Sequence, residues 1–169
     1  AAELLGRQEA QSLIDGLKQE YPKVVEEVLS PDRLSLGDIV KVLQNLLAEK
    51  VSIRDLLTVF ETIGDYCKSI KNPDVLTRYV RKGLGRGIIG KYLSHDEKLL
   101  VITLDRAVED LVVSGIQHRE DGSSTLQLEP EIAQQILNSV AAVIDVFQTT
   151  GTTPIILCGS LIRWDFRHL

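Results

Sequence analysis

Leu84-Gly85-Arg86-Gly87-Ile88-Ile89-Gly90, residues 84–90, contains the letters G-x-G-x-x-G. Glycines in that spacing hold a dinucleotide only where a strand feeds them and a helix leaves them, so that the pyrophosphate meets free amides at a helix N-terminus. The flanks do not supply that setting. Upstream, Asn72-Pro73 is a helix start, and Leu76, Tyr79, Val80 and Leu84 recur at helical spacing. Downstream, residues 91–98 are polar and short. The segment is therefore expected to be the end of a helix, where Gly83, Gly85, Gly87 and Gly90 dilute helix propensity until the helix stops and two lobes join.

Working back from that helix, the first part of the chain predicts more helices. Ala10, Leu13, Ile14 and Leu17 mark one, and Val24, Val25, Val28 and Leu29 mark a short second, with Pro22 near its first turn and Pro31 at its end. Ser35 with Asp38 reads as a capping box, stapled by Leu34 and Ile39, before a helix carrying Leu36, Val40, Leu43, Leu46 and Leu47. Ser52 with Asp55 repeats the device, stapled by Val51 and Leu56, before Val59, Phe60 and Ile63. The connection around Glu49 and Lys50 is short enough to force these two helices into antiparallel or steeply crossed packing.

Past Gly90 the pattern changes. The apolar run from Leu99 to Leu104 predicts a buried strand, Asp105 a cap, and Ala107, Val108, Leu111, Val112 and Ile116 a helix. Residues 118–124 read as an exposed loop. Glu129-Pro130-Glu131 opens a long helix lined by Ile132, Ile136, Val140, Val143, Ile144 and Phe147, and residues 149–153 turn the chain. Residues 154–158 predict a second buried strand, and Leu161 opens a last helix. Two strands connected through helices run parallel and need cover on both faces. The expected fold class is α+β, mainly α: a helical subdomain over 1–88, then a small α/β subdomain over 89–169 with a short, mostly parallel sheet.

Composition narrows function. The 169 residues are 44% hydrophobic and 25% charged, enough to build a core. The longest apolar run is far short of the roughly 20 residues that span a bilayer, and no secretory start is present, so a soluble, cytoplasmic chain is expected. Cys67 and Cys158 are too few for a disulfide framework and are expected as buried thiols. His95, His118 and His168 stand apart without metal spacing, and no nucleophile elbow, zinc-protease helix or phosphate loop occurs. Glu26-Glu27 and Glu109-Asp110 are neighbours that diverge on a helix. No catalytic residue, cofactor or metal is assigned, and the chain is not expected to be an enzyme.

Charge points to surfaces instead. Residues 1–90 hold 13 cations and 13 acids and residues 91–169 hold 6 and 11, so the net charge of −5 belongs to the second part. Against this, Lys68, Lys71, Arg78, Arg81, Lys82, Arg86 and Lys91 cluster with Asp74 as the one acid among them. Arg78, Arg81 and Lys82 fall on one helical face, and Arg86 lies four residues beyond Lys82. These four are the candidate partner or ring contacts; the bland alternative is a solvated face or internal pairs. The acidic second part of a neighbouring copy is a natural complement. Nucleic acid is a poorer partner, because Tyr79 alone offers a stacking ring.

Several blocks resemble a known family in order: Leu5-Gly6-Arg7-Gln8-Glu9, Tyr21-Pro22-Lys23-Val24-Val25-Glu26-Glu27, Val42-Leu43-Gln44-Asn45-Leu46-Leu47, Val51-Ser52-Ile53-Arg54-Asp55-Leu56 and Leu76-Thr77-Arg78-Tyr79-Val80-Arg81. They are similar to the cytoplasmic C-terminal domain of the type III secretion export gate (FHIPEP) family, in its flagellar, FlhA-type branch. The resemblance implies a protein transport role without catalysis. It implies docking of export chaperone–substrate complexes, of the export ATPase complex and of its stalk protein, and assembly into a homo-oligomeric ring. It places the domain on the cytoplasmic side of the bacterial inner membrane, with membrane contact only through an N-terminal region. It also implies that residues 1–88 are like the third cytoplasmic subdomain, and 89–169 like a fourth truncated at its C-terminus. Gly83, Gly87 and Gly90 depart from better helix formers in the family. The alternatives are a nucleotide-binding enzyme using Gly85–Gly90, or a basic helical module for nucleic acid.

Overall fold

The computed structural model describes residues 5–120, 123–149, 151 and 153–169. The chain divides into two compact units, one ending at Lys91 and the other starting at Tyr92.

The first unit is helical: α1 (Arg7–Glu20), α2 (Pro22–Val28), α3 (Leu36–Ala48), α4 (Leu56–Tyr66), α5 (Pro73–Gly83) and α6 (Gly85–Ile89). Five of these close a circuit. Helix α1 packs on α2 and α3, α2 on α4, and α5 on both α4 and α3. Phe60, Ile14, Ile39, Leu43, Leu46, Ile63 and Leu76 are fully buried at its centre, each stabilising the fold by about 1.5–3 kcal/mol through apolar surface removed from water. Cys67 joins this core and receives a hydrogen bond from Arg33 Nη1 at 3.2 Å.

Local chemistry sets the helix ends. Ser35 Oγ accepts from Asp38 N while Asp38 Oδ2 accepts from Ser35 N, which is the reciprocal box its spacing predicts. The second predicted box does not form. Residues 51–55 stay outside the helix, Ser52 Oγ takes the Arg54 amide at 3.4 Å, and Asp55 itself caps α4 by accepting from Thr58 N at 3.1 Å. Burial of Val51 holds that segment out of the helix. Lys50 completes the sharp connection with φ of 58°. At α5, Asn72 Oδ1 accepts from Asp74 N at 2.9 Å and Val75 N at 3.4 Å. Asn72→Ala should lower the urea-unfolding free energy by about 1 kcal/mol.

The glycine-rich stretch stays helical further than its composition predicts. Leu84 N donates to Val80 O at 2.9 Å, Ile88 N to Leu84 O at 3.0 Å and Gly90 N to Arg86 O at 3.0 Å, so α6 carries on from α5 with only a local break. Burial of Leu84, with Ile88 packed on the core, outweighs the propensity cost of Gly85 and Gly87.

The second unit contains β1 (Ile102–Thr103), α7 (Arg106–Gly115), β2 (Ile116–His118), β3 (Ser124–Leu126), α8 (Pro130–Thr149), β4 (Ile156–Leu157) and α9 (Arg163–Arg167). Strands β1 and β4 pair in parallel, Ile102 opposite Ile156 and Thr103 opposite Leu157. Both strands are shorter than the apolar runs predict, and Leu100 and Leu157 are exposed rather than buried. The segment read as a loop is bracketed by two short strands that claim its end residues His118 and Ser124: Ile116, Gln117 and His118 face Leu126, Thr125 and Ser124 in antiparallel register, and positions 121 and 122 lie outside the described residues. Ile116 thus begins a strand rather than ending the helix. Gly115 is needed there, because a Cβ at this position would lie 2.6 Å from Gln127 O. The core of this unit is small, built on Val112, Ile136 and Ile162. Cys158 is half-buried instead of buried, and desolvation pushes its thiol up despite nearby Arg163. The mainly helical α+β class holds, with a parallel pair and a separate antiparallel pair.

Candidate functional site

Helix α5 presents two different sides. Val75, Leu76, Thr77 and Val80 face the bundle and are buried. Asn45 of α3 ties this side down, its amide donating to Asp74 Oδ1 at 2.8 Å and Thr77 Oγ1 at 3.2 Å. Tyr79 stacks on Tyr66 with ring centroids 4.1 Å apart. That ring is engaged with α4.

The basic residues separate by what they touch. Arg81 turns to the end of α3, where Arg81 Nη1 meets Glu49 Oε2 at 2.9 Å with side-chain exposures of 23% and 4%. Glu49 sits at the C-cap of α3, the negative end of the helix dipole, so its carboxylate is held there by the guanidinium. Lys71 bends back to the turn after α2, donating to Asp32 O at 2.8 Å and Arg33 O at 3.0 Å. Arg78 is half-buried. Lys82 and Arg86 are exposed, as is Lys91, and Ile89 beside them is 46% exposed. The four candidates are thus not equivalent: Arg81 is drawn into an ion pair across the bundle, while Lys82 and Arg86 point outward. Sequence reasoning missed Glu49. Its position was a signal, since an acid at a helix C-terminus calls for a cation.

The Gly85–Gly90 segment lacks the geometry of a phosphate cradle. Helix α5 enters it, α6 occupies it, and the next strand begins at Ile102. A Cβ added at Gly85 or Gly87 would meet nothing within 4 Å. Among the described residues no group of three or more His, Cys, Asp or Glu could hold a metal ion, and no helix is long and apolar enough to cross a membrane. His168 Nδ1 lies 2.7 Å from Trp164 O and His118 lies in the hairpin. Buried Asp165 accepts from Ser124 Oγ at 2.8 and 2.9 Å, fastening α9 to β3.

The outer edge of this bundle, whose buried polar groups hold its helices together, carries the exposed cations Lys82 and Arg86 beside the apolar side chain of Ile89. A profile of the FHIPEP family matches residues 1–169, and the chain belongs to that family. It is 44% identical over all 169 residues to the flagellar biosynthesis protein FlhA of Bacillus subtilis, and spans 25% of that protein's length. Among solved structures, the Chlamydia pneumoniae CdsV protein matches 98% of this chain and 47% of its own, with TM-score 0.83 and 28% identity. The CdsV and CdsO complex matches 83% of this chain and 41% of the other, at TM-score 0.74 and 30% identity. The nonameric EPEC SctV-C matches 92% of this chain and 53% of its own, with TM-score 0.73 and 30% identity. These relatives belong to flagellar biosynthesis and the type III secretion export apparatus; they are not enzymes.

Proposed function

We propose that this chain is a cytoplasmic portion of a flagellar type III protein export gate, working by docking and ring assembly on the cytoplasmic side of the bacterial inner membrane. The observation that carries the reading is the 44% identity to a flagellar FlhA along the whole chain. The two units, with a boundary near residue 88, act as the third and fourth cytoplasmic subdomains. Their partners are export chaperone–substrate complexes, the export ATPase complex with its stalk protein, and neighbouring copies in a ring; the membrane is reached through another region of the longer protein. The CdsV and CdsO complex supports a second protein docking on this fold, and the EPEC nonamer supports the ring. Arg78, Arg81, Lys82 and Arg86 mark the contact edge, with Lys82 and Arg86 as its outward members.

The test is a double reversal, Lys82→Glu with Arg86→Glu, in the full-length protein. Both side chains are exposed, so thermal unfolding should stay within about 0.5 kcal/mol of the parent, while flagellar secretion and motility fall. Normal secretion in that variant would remove the contact edge. A pull-down with the complete cytoplasmic region should recover the export ATPase complex, and its repeated absence would remove the docking role.

A further inference from the structure

Helix α5 and its continuation α6 repeat with a period of four. Leu76, Val80, Leu84 and Ile88 form the apolar stripe, Arg78, Lys82 and Arg86 follow two residues behind it, and Gly83 is followed by Gly87. Leu76, Val80 and Leu84 are buried in the core of the helical unit, and Ile88 packs against it. A stripe that repeats in this way does not record where the helix stands along its neighbours. Moving α5 and α6 by four residues, about 6 Å along the axis with about 40° of rotation, puts Ile88 in the place of Leu84 and Leu84 in that of Val80. The close approach to α4 is kept as well. A Cβ at Gly83 would lie 2.7 Å from Thr62 Oγ1, and the slip brings another glycine, Gly87, to that spot.

Two polar contacts break the repeat. Asn45 Nδ2 of α3 donates to Asp74 Oδ1 at 2.8 Å and to Thr77 Oγ1 at 3.2 Å, and the Thr77 hydroxyl donates to Pro73 O at 2.7 Å. One turn further along both helices, Glu49 Oε2 meets Arg81 Nη1 at 2.9 Å. In the slipped register Asn45 would face Arg78 and Arg81, which have no acceptor for its amide. Glu49, with its side chain 4% exposed, would face Gly85. The Tyr66–Tyr79 stack also belongs to one register, but at the surface, with Tyr66 36% exposed. Apolar burial thus holds the helix to the bundle, and the polar contacts decide its register, as one buried asparagine does in a coiled coil.

We propose that Asn45 and Glu49 are register pins: they select one of two positions that the period-four helix fits, and so fix where the cations of the contact edge stand. They are positioning residues, acting through α5. One-turn ratchets of one packed element past another recur as switches between discrete packings. After the slip Arg86 stands where Lys82 stood and Gly90 where Arg86 stood, so the edge loses a cation as well as its place. The connection from Cys67 to Asn72 has an extended reach of about 20 Å, and follows once Lys71 releases Asp32 O and Arg33 O. The consequence for export rests on the contact-edge reading above; the register itself does not.

The experiment uses the full-length protein with Cys158→Ser and with Tyr79→Ala, which removes the stack. Thr62→Cys is paired in turn with Gly83→Cys, Gly85→Cys or Gly87→Cys. A Cβ at position 83 would be 3.8 Å from Thr62 Cβ, the separation a disulfide requires, whereas one at 85 or 87 meets nothing within 4 Å. Links formed on mild oxidation are mapped by mass spectrometry. With both pins present the 62–83 link should dominate. Adding Asn45→Leu, Glu49→Leu and Arg81→Leu should lower it and raise the 62–87 link several-fold, with 62–85 at background. Restoring Asn45 alone, or the Glu49 and Arg81 pair alone, should return the 62–83 link. A second form moves the pin: Asn45→Leu, Arg81→Leu and Gly85→Arg leave Glu49 a guanidinium only in the slipped register, so the 62–87 link should dominate over 62–83. A 62–87 link no more abundant than 62–85 in the unpinned form, or a dominant 62–83 link in the form with the moved pin, would overturn the proposal. Loss of the thermal unfolding transition in both forms would also overturn it, because the slipped register must be a folded state. Flagellar secretion measured in parallel separates the two readings. A moved link with unchanged secretion supports the pins and counts against the contact edge, whereas lost secretion with an unmoved link counts against the pins alone.

Discussion

Replacing Arg81 by Leu should destabilise the helical unit by about 3 kcal/mol, whereas replacing the adjacent Lys82 by Leu should change it by less than about 0.5 kcal/mol. The difference comes from burial. Glu49 is 4% exposed in its side chain and Arg81 23%, with the ion pair at 2.9 Å. Losing the guanidinium takes from a desolvated carboxylate at the negative end of α3 the cation 2.9 Å away, and a buried charge stripped of one partner is far costlier than the intact pair is stabilising. The double variant Glu49→Leu with Arg81→Leu should recover most of the loss, because removing both charges also removes the desolvation penalty. Urea unfolding of the four variants closes a double-mutant cycle, and a coupling below about 0.5 kcal/mol would show that Glu49 and Arg81 act independently. The same cycle divides the basic edge into a structural member and outward members, so export defects of an Arg81 variant cannot be assigned to docking.

Phe60→Ala should cost about 3–5 kcal/mol, the largest loss at any single position in the helical unit. Phe60 is the largest side chain that is fully buried. Its helix packs on α2 and α5, so the cavity would open between three helices that cannot all relax into it. The expected readout is a thermal midpoint lower by many degrees, with Phe60→Leu retaining most of the stability because it keeps the site largely filled. Equal losses for Leu and Ala would mean that ring shape rather than cavity volume sets the cost.

Helices were legible wherever an apolar stripe coincided with a start signal. The stripes through Ile39, Leu43 and Leu46 and through Val59, Phe60 and Ile63, with caps at Ser35 and Asn72, became helices because local and tertiary preferences agreed. Legibility failed where a neighbour decided. Ser52 looked like Ser35, but burial of Val51 held the chain outside the helix and passed the cap to Asp55. The hairpin was missed because its strands are three residues each, too short for alternation to register. The glycines near residue 87 looked like a helix ending, and only the anchoring of Leu84 and Ile88 carries the helix on. At the contact edge, the letters Arg78, Arg81, Lys82 and Arg86 did not say which cation would be consumed, since Glu49 is distant in sequence and reaches Arg81 only through packing of α3 against α5.

The circuit in which α1 joins both α2 and α3 leaves no free end in the five-helix bundle. A displacement applied at one helix reaches the far side by two routes at once, so there is no hinge about which part of the bundle could swing. Amide protons in the middle of α1, α3, α4 and α5 should therefore exchange with deuterium at a common rate, set by one opening of the whole unit. A common rate would mark the five-helix unit as a single block, whereas separate rates would show that the circuit yields at one of its packed seams.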